Sequence, residues 1–170
     1  MPLCESSNHP SINTISARLR ANHNFPVVRM SRTRALEVID LGKRPDATIP
    51  HGICWDHVLV MPSIDALHDK ATEIARNCIE LKVGITTNPS WRWYLCEGHN
   101  GMSSYFSDGW SRLMILTVDD GEVAGRQEVR LIDHVSKTCG TQTLNVRDGF
   151  DGPVKGHAPM FLYLAITLPK

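Results

Sequence analysis

The spacing of apolar and polar positions along this chain changes period several times, and each change marks an element. Ile64, Leu67, Ala71, Ile74, Ala75 and Cys78 recur at helical steps behind Ser63, which predicts a capped amphipathic helix over residues 63–78. Residues 79–85 then read as a strand. A second helical stripe, Ala124, Leu131, Ile132 and Val135, predicts a helix over 121–136, directly after an apolar strand at 113–118. Residues 55–61 read as a further buried strand, stopped by Pro62, and residues 160–168 as a closing one. Asn88 followed by Pro89 suits the start of one more helix, because Asn caps free N–H groups and Pro lacks one at the first helical position. Residues 1–26 have no period, and 27–40 suit a short strand or helix. The stretches 41–53, 97–109 and 139–159 carry the Gly and Pro of loops. This pattern predicts an α/β (α+β) fold, a small mixed or antiparallel sheet of about four strands flanked by helices. The single domain is expected over 51–170, behind an Arg-rich extension and loop over 1–50.

Two places carry candidate chemistry. In Lys82-Val-Gly-Ile-Thr-Thr-Asn-Pro-Ser-Trp-Arg-Trp93, a strand ends in a glycine turn and Arg92 follows about one helical turn later. Backbone donors and a cation at a helix start suit a phosphate or carboxylate. In the later helix Glu128 falls in the middle of the apolar stripe. A carboxylate there is costly unless it is paired, hydrogen-bonded or bound to metal. A separate group, His51, Cys54 and His57 with Cys96 and His99, has the right donors for a structural Zn²⁺ but lacks the usual two-cysteine knuckle.

Taken together, the two segments resemble the GIY-YIG nuclease family over about residues 79–150. Lys82-Val83-Gly84 and then Arg92-Trp93 follow the order and spacing of its second motif. The strand, acidic turn and helix with Ala124 and Glu128 follow its later part, and Asn145 stands where many members carry an asparagine. The resemblance implies a metal-dependent endonuclease acting on nucleic acid, DNA first, with Mg²⁺ or Mn²⁺ held by Glu128. Arg92 would bind the scissile phosphate, with Lys82 close by, and Asn145 would orient the phosphate or the metal's water. Gly84, Thr86 and Trp93 would line the substrate, and Tyr94 and His99 are the candidate general bases. The family's first motif brings a tyrosine on a strand shortly before the second. Here neither Gly52-Ile53-Cys54 nor the run 58–61 has one, and Lys82 replaces the second-motif tyrosine. A lysine serves as a base only if its pKa is strongly depressed. The alternative is a non-catalytic module for nucleic acid or protein on the same scaffold, with Trp91 and Trp93 available to a splayed base.

Composition narrows the class. The chain has 170 residues, 42% hydrophobic and 21% charged, as in an ordinary globule. No apolar run approaches the roughly 20 residues that span a bilayer. Met1 to Pro10 lacks the apolar core of a secretory signal, and five cysteines form no regular framework, so an intracellular, reducing compartment such as cytoplasm or nucleus is expected. The formal net charge is zero but uneven. Residues 1–36 hold five arginines against Glu5, a net of +4, which leaves −4 for the remainder. Such an opening suits an arm along a phosphate backbone, an organelle transit segment, or an extension docked on its own acidic domain.

Overall fold

The computed structural model describes residues 29–43, 51–95, 104–139, 142–145 and 158–170. The elements in chain order are α1 (Arg32–Gly42), β1 (Ile53–Cys54), α2 (Ile64–Ala75), β2 (Glu80–Thr86), β3 (Arg112–Asp120), α3 (Gly121–Thr138), β4 (Gln142–Thr143) and β5 (Pro159–Thr167). They form one mixed sheet in the order β1-β3-β5-β2-β4. The last strand is therefore central, antiparallel to both β2 and β3, while the two-residue strands β1 and β4 extend the edges in parallel. The sequence of β5 explains its place: Met160 to Ile166 is apolar almost without interruption and buried throughout, as a strand covered on both faces must be.

Each face carries its own core. On the first, Leu81, Val83, Met114, Leu116, Leu162, Leu164 and Ile166 pack against the stripes of α2 and α3. On the second, Leu113, Ile115, Phe161, Tyr163 and Ala165 pack against α1, Trp93 and Tyr105. A bulge between Ile115 and Thr117 shifts the register near the end of β3. Ser63 caps α2 by accepting from Ala66 N at 3.2 Å, and Ser31 caps α1 in the same way. Where α2 and α3 meet, the His68 and His134 rings stack 4.1 Å apart and nearly parallel, and the Thr72 hydroxyl lies 2.9 Å from His134 Nε2.

Four features depart from the sequence pattern. Residues 55–61 are not a strand: after β1 the chain turns, Val58 N donates to Trp55 O, and Met61 adopts a positive φ of 51°. Their alternation is real, because Leu59 joins the first core while Trp55, Val58 and Val60 join the second, but only Leu59 N reaches β3, at Leu116 O. The segment after Pro89 makes one turn and then a π-helical turn, Trp91–Leu95, in place of a longer α-helix. The loop after α3 contains β4, which pairs with β2. Finally, residues 30–39, expected in an extension, supply Met30, Ala35, Val38 and Ile39 to the second core. Arg29 ties this segment down, its Nε and Nη2 donating to Asp119 Oδ2 at 2.9 and 2.7 Å. Among the described residues, no helix is long and apolar enough to cross a membrane.

Candidate functional site

Strand β2 alternates. Leu81 and Val83 face the first core, so Lys82, Gly84 and Thr86 face the second. Register sets Gly84 opposite Tyr163. A Cβ on Gly84 would lie 2.5 Å from Tyr163 Cζ and closer still to its hydroxyl, so the glycine leaves the space that the phenol fills. Gly84, expected to line the substrate, is covered by this phenol instead.

Around this phenol the charged groups gather. The Tyr163 hydroxyl is 3.0 Å from that of Tyr105. The Arg92 guanidinium lies 4.2 Å from the centre of the Tyr105 ring and the Lys82 ammonium 5.9 Å from it, both within cation–π range. Burial pushes the Tyr163 pKa well up and Tyr105 adds to the rise. Arg92 opposes it through its charge and a hydrogen bond. The phenol therefore keeps its proton at neutral pH.

The turn that delivers Arg92 is built as the sequence implies. Asn88 Oδ1 accepts from Trp91 N at 3.0 Å, and Arg92 N donates to Asn88 O. Thr86 serves the turn from within: its hydroxyl donates to Asn88 O and accepts from Asn88 N, both at 3.2 Å. Trp93 is a core residue, 1% exposed, packed so closely on Gly52 that a Cβ there would enter its indole. A base cannot stack on it, which corrects its place on the substrate surface. Tyr94 is half-buried, edge-on to Phe106 at 5.3 Å.

Asn145 is committed to the backbone. Its Oδ1 accepts from Val83 N at 2.9 Å and its Nδ2 donates to Val83 O at 2.8 Å. The amide takes the place of a strand residue and continues the edge that β4 begins. Glu128 is 8% exposed on α3, one turn before Leu131 and Ile132, on the stripe that packs against the first face. Lys82, Gly84 and Arg92 thus come together on the second face, while Glu128 belongs to the helix covering the other. The helix starts at Asp120, at the end of the sheet where β2 also finishes, and Glu128 is about two turns in from that end.

His99 and Cys96 lie outside the described residues. Of the other soft donors, Cys54 Sγ donates to Asp56 Oδ2 at 3.6 Å, and burial raises its pKa. Among the described residues, no group of three His, Cys, Asp or Glu is placed to hold a metal ion. The residues that the sequence pattern missed are Tyr105 and Tyr163. Tyr163 is the one hydroxyl in the middle of the closing apolar run, a visible signal, but its facing partner Gly84 lies 79 residues earlier in the chain.

No protein-family model matches this chain, and no curated protein or solved structure does either.

Proposed function

We propose that the chain is a metal-dependent nucleic-acid phosphodiesterase, an endonuclease of GIY-YIG type whose first-motif tyrosine comes from the end of the chain. One observation carries the reading. The tyrosine absent before β2 has a counterpart in Tyr163, on a strand paired directly with β2, facing its glycine and bonded towards Arg92.

Arg92 and Lys82 would hold the non-bridging oxygens of a phosphodiester and spread the charge that grows on them. Tyr163, buried behind them, would position Arg92 through the hydrogen bond between the two, with Tyr105 fixing its hydroxyl. Tyr94 and His99 remain the candidate bases for the attacking water. Glu128 offers the hard oxygen donors that suit Mg²⁺ or Mn²⁺ and would be the ligand. An ion held there would supply neutralisation of phosphate charge.

The test is cleavage of plasmid, duplex and single-stranded substrates with Mg²⁺ or Mn²⁺ from neutral to alkaline pH. Metal-dependent cleavage is expected, with Arg92→Ala and Glu128→Gln each lowering it by about 100-fold or more. A folded parent protein that cuts nothing would refute the reading. One placement favours a second reading, a binding module without catalysis: the stripe of α3 that carries Glu128 packs on the face away from Lys82 and Arg92. That reading predicts nucleic-acid binding without cleavage, and a loss on Arg92→Ala that metal does not alter.

A further inference from the structure

Beside the cation pair stands an aromatic side chain with open surface. Phe106 is 44% exposed, and it is the one aromatic among the large hydrophobic side chains exposed in the described residues. It follows Tyr105 directly in the chain. Tyr105 turns inward and carries Arg92 and Lys82 over its ring, while Phe106 turns outward.

The ring is held in place. Phe106 N donates to Trp93 O at 2.9 Å, and the ring meets Trp93 at 6.3 Å and Tyr94 at 5.3 Å in T-shaped contacts. The turn around it is closed by bonds from Asp108 N to Ser104 O, Gly109 N to Phe106 O and Trp110 N to Tyr105 O, and by Ser107 N to Ser104 Oγ. An exposed aromatic on a fixed turn, one residue from the tyrosine that carries two cations, is the combination that binds single-stranded nucleic acid, where the backbone lies along positive charge and a base stacks on the ring. In a duplex the base faces are covered by their neighbours.

We propose that Phe106 stacks an unpaired base beside the phosphate held by Lys82 and Arg92, so that the preferred substrate is single-stranded or locally splayed nucleic acid. This rests on the phosphodiester reading above. The occupant is a nucleobase rather than a protein side chain, because the adjacent cations ask for a phosphate on the same ligand.

The test is fluorescence anisotropy of the full chain with a labelled single strand, the same strand made abasic at successive positions, and a duplex. Phe106→Ala and Phe106→Leu should each weaken single-strand binding by about 10- to 100-fold, with Phe106→Trp close to the parent. Leucine keeps the apolar bulk and loses the ring face, so it separates stacking from packing. Duplex affinity should change little in all three variants, which also reports that they are folded. One abasic position should reproduce the loss in the parent and add nothing in Phe106→Ala. Single-strand affinity unchanged in Phe106→Ala, or lost equally for single strand and duplex, would overturn the stacking role while leaving the phosphodiester site standing. Loss of both substrates is the expected result for Arg92→Ala. A parent chain that binds neither would overturn both proposals.

Discussion

Replacing Gly84 by alanine puts a methyl group into the space occupied by the Tyr163 phenol, 2.5 Å from its Cζ. The ring has little room to retreat: Tyr163 is 3% exposed, lies on the central strand and shares a hydroxyl contact with Tyr105 at 3.0 Å. Overpacking of this kind costs about 1–3 kcal/mol, and loss of the hydroxyl pair adds about 1 kcal/mol. Against that, alanine is better than glycine within a strand by about 0.5–1 kcal/mol. The net expectation is a destabilisation of about 1–3 kcal/mol. In a chain of this length that lowers Tm by about 2–12 °C. The assay is a double-mutant cycle by thermal and urea unfolding, with Tyr163→Leu made in both backgrounds. Leucine removes the atoms that the new methyl group would strike, so the double variant should be more stable than the sum of the single losses by about 0.5 kcal/mol or more. Gly84→Ala at least as stable as the parent, or a cycle that closes additively, would refute the packing argument and remove the reason for placing Tyr163 at the site.

Two further outcomes follow from the structure. Burial, and then the neighbouring His134, lower the pKa of His68 from 6.5, with Arg130 in the same sense and Asp65 and Asp69 opposing. The unfolded chain then binds more protons than the folded one, so stability should fall as pH drops below about 6.5 and level off below the folded value. Urea midpoints between pH 8 and 5 should show that slope flattened in His68→Gln, and an unchanged slope would refute it. The carboxylate of Asp119 is 1% exposed and accepts from Arg29, Met30 N and Asp120 N. Asp119→Asn should therefore lower stability by about 1–3 kcal/mol, the range for a charged hydrogen bond at a partly exposed pair. A urea midpoint equal to that of the parent would show that this anchor contributes nothing.

What the sequence determined by itself is local. The periodic stripes located α2 and α3, and Ser63 and Asn88 marked two starts, because helix period and capping depend on residues a few positions apart. The apolar run at 160–168 announced a strand. The order Lys82, Gly84, Arg92 was legible for the same reason, since a strand, a turn and a first helical turn follow one another along the chain. The tertiary structure decided the rest. Residues 55–61 alternate like a strand, yet they drape over an edge of the sheet and divide their side chains between two cores, a choice set by β3 and not by their own pattern. Trp93 and Phe106 are both aromatic and lie near Arg92, but only the packing on Gly52 buries one and leaves the other open. Above all, the pairing of Gly84 with Tyr163 joins residues 79 positions apart. Strand order depends on which apolar faces bury one another, and that is a property of the assembled sheet that no local spacing encodes.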